Sequence, residues 1–473
     1  MNNLIKTQVV VIGSGPAGYS SAFRCADLGF KTILIEKYLN LGGVCLNVGC
    51  IPSKFLLYIS KIIEEIKKLS KKGIILCEFK NNINKICEWK NNIIKKLNLG
   101  ILNLSKIRNI KIINGIAKFK NINSIIIKKN DKKIIINFDY AIIATGSRPI
   151  KLPFYKKKNS IIWDSNDALK LLEIPSKLLI IGCGIIGLEM AYIYSSLGSK
   201  VDIIELNDQI IPEIDNDIAK ILYNIICKKS KIMLNTTIKE IKIINNLAYV
   251  EINNKEYIKK KIYNKILIAI GRKPNTDNIN INEIGIKTDK NGFILVNNQL
   301  KTNIKNIFAI GDVTGQPMLA HKGIQEGHIV ASVISGNKKI IFEKKNIPSI
   351  IYTDPEVAWV GITEKIAKKK NIKYKVSVFP WSVLGRAIIS DSHEGITKLI
   401  FESKTNRIIG GIIIGTHGGE LLGEISLAIE MGSYAEDIAL TIHAHPTLNE
   451  SIKLASELYL GTITDLTNNF KKN

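Results

Sequence analysis

Cysteine is scarce and odd in number, seven in 473 residues, which excludes the dense, even-numbered framework that staples small secreted domains. Long apolar runs are missing too. The longest, Leu178 to Tyr194, is interrupted by Gly182, Gly184, Gly187 and Glu189, so it reads as strand, turn and helix and not as a membrane span. Near the N-terminus only Val9 to Ile12 is apolar before a glycine turn, too little for a secretory signal. Acidic charge is in deficit: 41 Asp and Glu face 67 Lys and Arg, a net +26. The excess lysines are spread along the chain with no basic–aromatic block. We read them as solvated surface and expect no nucleic-acid partner. These deficits together predict a cytoplasmic, reduced protein without membrane insertion. What is present is apolar content, 46%, in a chain too long for one core, so two to four domains are expected.

Thr7 to Ile12 (TQVVVI) has the pattern of a short buried strand. Gly13-Ser14-Gly15-Pro16-Ala17-Gly18 follows, then a helical pattern to Leu28 and a strand, Thr32 to Ile35, that ends at Glu36. Such glycines allow a tight turn and bring backbone N–H groups to a pyrophosphate at a helix N-terminus, and the acid binds a ribose hydroxyl. The pattern then repeats. Strand Leu178 to Ile181 leads into Gly182-Cys183-Gly184-Ile185-Ile186-Gly187, a helix to about Leu197, and strand Val201 to Ile204 before Glu205. Two such units imply two dinucleotides. Glu205 repels a 2′-phosphate, and Leu206, Asn207 and Asp208 bring no arginine, so the second nucleotide reads as NAD and not NADP.

A third signal lies later, at Ile307 to Asp312 (IFAIGD). A strand ending in Gly-Asp places a carboxylate where it can hold a ribityl hydroxyl. With Ala144-Thr145-Gly146-Ser147 after strand Tyr140 to Ile143, it completes an FAD-type arrangement. Ala269-Ile270-Gly271-Arg272 closes the NAD insert, so the FAD domain is interrupted by the NAD domain. The expected fold is α/β, with two Rossmann-like dinucleotide-binding domains.

Cys45 and Cys50 stand in GGVCLNVGCIPSK, at the start of an amphipathic helix, Phe55 to Leu69. A helix N-terminus favours a thiolate. Five residues of regular helix would separate the Cα atoms by ~8–9 Å, beyond the ~7 Å reach of a disulfide. A bridge between them requires a break in the helix, which Gly49 makes easy. The other cysteines, 25, 77, 87, 183 and 227, are isolated and read as structural. The asparagine-rich stretch Lys80 to Asn98 reads as loosely packed.

In GGVCLNVGCIPSK, both fingerprints, IFAIGD, MLAHKGIQEG and TIHAHPTLNES, the chain resembles the class I pyridine nucleotide-disulfide oxidoreductases. Across essentially its whole length it is most similar to the dihydrolipoyl dehydrogenases of the pyruvate dehydrogenase complex. The resemblance implies that Cys45 is the interchange thiol that meets substrate and Cys50 the thiol beside the flavin. It implies that Lys54 approaches flavin N5 and pairs with Glu189, and that His445 is the acid–base group with Glu450 as its orienter. FAD would be held by Gly13, Gly15, Gly18, Glu36, Lys54, Ala117, Thr145, Gly146, Ser147, Asp312 and Ala320. NAD would be held by Gly182, Gly184, Gly187, Glu189, Glu205 and Gly271. No metal is expected.

Elementary chemistry supports the His445–Glu450 pair separately: disulfide exchange needs a base, histidine titrates in the right range, and a carboxylate on the far nitrogen fixes the tautomer. His443 and His321 read as structural hydrogen-bonders, and His393 and His417 as surface. The implied layout is FAD domain 1–149, NAD domain 150–272, central FAD part 273–346 and a C-terminal α+β dimerisation domain 347–473. The implied partners are a second copy, in a homodimer, and the lipoyl and subunit-binding domains of a 2-oxo acid dehydrogenase acyltransferase. No lipoyl domain is expected within the chain. Glutathione or mercuric reductase chemistry is the alternative. Glu205 argues against both, and the ending DLTNNFKKN lacks the vicinal cysteines of the second.

Overall fold

The computed structural model describes residues 3–74, 81–129, 132–152, 160–254 and 257–467. Cys77 lies outside the described residues. Tertiary contacts divide the chain into two compact units. One comprises Met1–Leu56, Glu78–Glu173 and Ile268–Glu343; the other comprises Leu57–Cys77, Ile174–Leu267 and Lys344–Asn473.

The first unit is built on a parallel sheet. Strand Asn3–Ile12 lies between Thr32–Glu36 and Lys132–Ile143, Lys111–Asn114 flanks the former, and Ile307–Ala309 adds to the latter, all in parallel. Val9, Val10 and Val11 are fully buried, as expected of β-branched residues in a sheet covered on both faces. Ser124–Lys129 and Ile116–Asn121 continue this sheet antiparallel. Helix Pro16–Asp27 begins with proline in its first turn, where the missing N–H has no intrahelical role. The stretch read as loosely packed is mostly helix, Ile83–Ile107, and of residues 81–98 only Lys90 is buried (Lys80 lies outside the described residues). Trp89 makes an edge contact with Phe55 at 5.0 Å, and the buried Lys90 caps helix Ser165–Lys170 by donating to Leu169 O at 2.7 Å and Lys170 O at 3.0 Å.

The second unit holds another parallel sheet. Lys200–Ile204 pairs with Lys177–Ile181 and with Lys231–Met233. Helix Ile185–Ser196 is buried on nearly every side. A three-stranded antiparallel sheet follows, Thr236–Ile244, Leu247–Asn254 and Tyr257–Tyr263. The C-terminal part is an antiparallel five-stranded sheet in the order Ser349–Ile351, Glu356–Gly361, Ile408–Gly415, Ile396–Glu402, Tyr374–Pro380. Helices Gly418–Met431 and Glu450–Leu460 pack on it. Trp381 is fully buried there, and Gly395 and Gly415 leave its ring space: a Cβ would fall 2.7 and 2.3 Å from it. The architecture is thus α/β with two Rossmann-like folds and a C-terminal α+β part.

Among the described residues, one helical run, Gly43–Lys71, is apolar and long enough to cross a membrane by composition. It is broken at Gly49, and Leu46, Phe55, Leu56 and Leu57 are buried in protein.

Lys398 is fully buried in the second unit, with Glu364 at 2.5 Å, Asp217 at 2.7 Å and Asp215 at 3.2 Å. Burial opposes its charge, but bonds to Asp217 and Glu364 hold it above the ordinary lysine value. Burial likewise pushes Glu364 up, but hydrogen bonds from Lys398 and Tyr374 outweigh that and hold it below the carboxylate range. A lowered acid stabilises above its unfolded pKa and loses that contribution as pH falls through its folded value. A raised base stabilises below its unfolded pKa and loses it as pH rises through its folded value. The cluster should therefore stabilise between about pH 4 and about pH 10.4 and fail outside that window. Lys398→Met strands buried Asp215 and should cost about 3–5 kcal/mol. Urea melts against pH check both expectations, and a wild-type melt in that variant would refute the role.

Candidate active site

Two strand–glycine–helix turns form nucleotide cradles. In the first, Gly13 has φ +101° and a Cβ there would lie 2.3 Å from Ala144 O; at Gly18 it would lie 1.8 Å from Gly13 O. The protein itself forbids side chains at both positions. Gly15 differs, since nothing lies within 4 Å of its missing Cβ. That open face at the N-terminus of helix Pro16–Asp27 is where a pyrophosphate can approach. Glu36 is buried, and accepts from Ser14 N at 2.9 Å, Ser14 Oγ at 2.6 Å and Tyr38 N at 3.0 Å. About four acceptor sites exist on a carboxylate, so one stays open to a ribose hydroxyl. The cradle fits FAD.

Gly15→Ala should leave the melting midpoint of the apoprotein nearly unchanged while weakening FAD about tenfold or more. Gly18→Ala should destabilise the protein with or without FAD. Calorimetry and FAD titration check the pair, and identical behaviour of the two variants would overturn the distinction.

The second cradle repeats this division. A Cβ at Gly187 would lie 2.1 Å from Gly182 O, whereas Gly184 faces open space. Glu205 accepts from Cys183 N at 2.8 Å, Asn207 N at 3.0 Å and Asn207 Nδ2 at 2.8 Å. Its carboxylate is locked at the strand end, where it suits a free 2′-hydroxyl and repels a phosphate. Buried Glu189 accepts from Tyr352 N at 3.2 Å. Lys54 belongs to the first unit and Glu189 to the second.

The cysteine pair sits at a helix break. Helix Gly43–Val48 carries Cys45, Gly49 departs to φ −139° and ψ −110°, and helix Cys50–Lys71 begins at once. A Cβ at Gly49 would lie 2.9 Å from Val44 O, so only glycine permits this fold-back. Cys45 is held protonated, first by its hydrogen bond with Cys50, then by burial, with Lys54 acting the other way. Gly43 lets this segment pack over the first cradle: its Cβ would fall 2.7 Å from Gly15 Cα. Asn47 holds the same segment by donating to Leu41 O at 2.7 Å and Gly43 O at 2.9 Å, and it accepts from Asn98 Nδ2 at 2.9 Å. The phenol of Tyr19 is pushed up by burial first, and then by Cys45 and Cys50. Nothing in the spacing of Asn47 or Asn98 announces these roles.

Asp312 is the second residue of a short turn, Gly311–Thr314, after strand Ile307–Ala309, and accepts from Ser147 Oγ at 2.5 Å. Ser147 in turn accepts from Arg272 Nε at 2.8 Å, and Arg272 Nη2 donates to Ser147 O at 2.8 Å. Burial lowers the guanidinium of Arg272, while Asp312, Cys50 and Asp164 act to raise it. This arginine, read from sequence only as the end of an insert, is instead tied to Ser147 and through it to Asp312. Thr145 Oγ1 donates to Asn275 O at 2.8 Å, Asn275 N donates to Gly146 O at 2.9 Å, and Gly271 O accepts from Ile150 N at 3.0 Å. Ala117 is buried in strand Ile116–Asn121, and Ala320 begins helix Ala320–Ile334.

In the second unit, His445 Nδ1 lies 2.7 Å from Glu450 Oε1, and the other oxygen accepts from Thr447 N at 2.7 Å. Glu450 opens helix Glu450–Leu460, where the dipole favours its charge. The imidazole of His445 is 79% exposed, so Nε2 can meet a substrate. His443 is the contrary case: it is 6% exposed, with Glu424 at 2.7 Å and Thr441 O at 2.9 Å. His393 lies 3.6 Å from Asp391, and His417 takes φ +57° at the start of helix Gly418–Met431. Of the isolated cysteines, Cys25 and Cys183 are buried and Cys25 is pushed up to about 12 by burial. Cys227, read as structural, is exposed at the end of helix Asn216–Ile226.

Residues 7–327 match the family model described as pyridine nucleotide-disulphide oxidoreductase, and residues 347–456 match its dimerisation domain. A relative from Vibrio parahaemolyticus named dihydrolipoyl dehydrogenase is 55% identical, over 99% of this chain and 98% of its own. One of the same name from Buchnera aphidicola subsp. Acyrthosiphon pisum is 56% identical over 100% of both chains. Among solved structures, the Cu(II) complex of an HOCl-induced flavoprotein disulfide reductase from Escherichia coli superposes with TM-score 0.87 at 27% identity, covering 97% of this chain and 100% of that one. With cradles, cysteine pair and histidine in place, this chain belongs to the pyridine nucleotide-disulphide oxidoreductase family.

Proposed function

We propose that this enzyme is a dihydrolipoyl dehydrogenase, using FAD and NAD to reoxidise dihydrolipoamide. The observation that carries the disulfide chemistry is the fold-back at Gly49, which sets Cys45 against Cys50. The choice of lipoamide rests on the 51–56% identity to relatives of that name.

His445 Nε2 takes the proton of one substrate thiol, while Glu450 holds Nδ1–H and stabilises the imidazolium. The substrate sulfur then attacks Cys45 Sγ, the Cys45–Cys50 bond breaks, and the electron pair leaves on Cys50. The second substrate thiol attacks the substrate sulfur bound to Cys45. Lipoamide closes and Cys45 leaves as a thiol. Bound FAD supplies the relay that passes the two electrons of the dithiol to NAD+. Arg272 and Lys54 supply positive charge near the thiolate. The protein works as a homodimer, in keeping with its dimerisation domain. We assign His445 of one copy to the cysteines of the other. Docking to lipoyl and subunit-binding domains of an acyltransferase, in the cytoplasm, completes the reading.

A paired turnover assay tests it: dihydrolipoamide with NAD against NADP, reduced glutathione and mercuric ion. NAD-dependent lipoamide formation is expected. A flavin spectrum without lipoamide turnover would point to another disulfide substrate.

A further inference from the structure

A buried ion pair grips the turn that carries Asp312. Lys322 and Glu326 stand one helical turn apart on helix Ala320–Ile334, 3.1 Å from each other, with both side chains 0% exposed. Both reach out of their helix to the same turn. Lys322 Nζ donates to Gly311 O at 3.4 Å, Thr314 Oγ1 at 3.2 Å and Gly315 O at 3.2 Å. Glu326 Oε2 accepts from Gly311 N at 2.6 Å. Gly311 is thus held at both its N–H and its C=O, directly before Asp312. The supporting helix is itself fixed on the helix of the first cradle. A Cβ at Gly323 would lie 2.9 Å from Ala17 Cβ, and one at Gly327 would lie 3.0 Å from Ala17 O.

A buried ion pair is poor value as a source of stability, because apolar residues of similar volume often do as well or better. Here its hydrogen bonds converge on a single turn, whose aspartate is locked from the other side by Ser147 and Arg272. We propose that Lys322 and Glu326 are positioning residues for FAD. They set the Gly311–Gly315 turn so that Asp312 is presented to the ribityl chain. This rests on Asp312 being a flavin ligand.

The test uses full-length holoenzyme and its apoprotein. The double variant Lys322→Met/Glu326→Leu removes both charges and strands neither. FAD affinity is read by quenching of flavin fluorescence, and folding by the melting midpoint of the apoprotein. The expected result is a dissociation constant raised about tenfold or more, a near-wild-type apoprotein midpoint, and a shifted spectrum of the flavin that still binds. Wild-type affinity and spectrum, with or without a lower midpoint, would overturn the proposal, since a purely structural pair predicts that outcome. If the double variant fails to fold, Glu326→Gln replaces it: unchanged affinity and spectrum there would overturn the proposal equally. Asp312→Asn serves as the control, and if it binds FAD like wild type, the reading of Asp312 fails instead.

Discussion

Replacing Cys45 with serine should abolish lipoamide turnover, by roughly 10⁴-fold or more, the scale on which loss of an obligatory nucleophile acts. A hydroxyl cannot enter thiol–disulfide exchange, so no route around the mixed disulfide remains. The flavin cradle does not depend on this sulfur: Glu36, Asp312 and the open face at Gly15 lie in other segments. FAD content should stay at wild-type level. The variant leaves Cys50 without a disulfide partner, so its long-wavelength thiolate–flavin absorbance should change while visible flavin remains. Steady-state assay with a spectrum of the same sample checks both halves. Normal turnover would remove Cys45 from the mechanism.

The second large effect is expected at His445. His445→Gln should lower turnover by roughly 10²–10⁴-fold, the usual worth of a positioned general base. Glu450→Gln should give part of that loss, because it keeps a hydrogen bond to Nδ1 but removes the charge that steadies the imidazolium. It also weakens the grip on Thr447 N. Flavin content should be unaffected in both. Mixing Cys45→Ser with His445→Gln should restore partial activity if each site draws on two copies, since a mixed dimer then contains one intact pair. Restoration is the stronger outcome to seek; its absence would put the histidine and the cysteines of a site in one chain.

Legibility followed the range of the interaction. Both fingerprints, their closing acids Glu36 and Glu205, and the need for a break at Gly49 were readable from a few adjacent residues. Each depends on backbone conformation that glycine permits and side chains forbid. The asparagine-rich stretch was read for its packing and not for its secondary structure; it lies mostly in helix Ile83–Ile107, which touches Phe55 through Trp89. Arg272 was read as the end of a motif, because its partner Ser147 lies 125 positions earlier. The Lys322–Glu326 pair had a visible signal, a lysine and a glutamate at helical i,i+4 spacing, but that spacing usually marks a solvated face.

Short-range sequence therefore showed both glycine fingerprints with their acids, and the Cys45–Cys50 and His445–Glu450 spacings. Backbone turns and helix starts are decided by neighbours a few positions apart. Folding in three dimensions alone settled which glycines serve the protein and which the ligand, and which of two histidines is exposed. It also joined Lys398 to Asp215 across 183 positions and Ser147 to Asp312 across 165. Such contacts form only when distant strands close on one another, and a linear pattern holds no record of that distance.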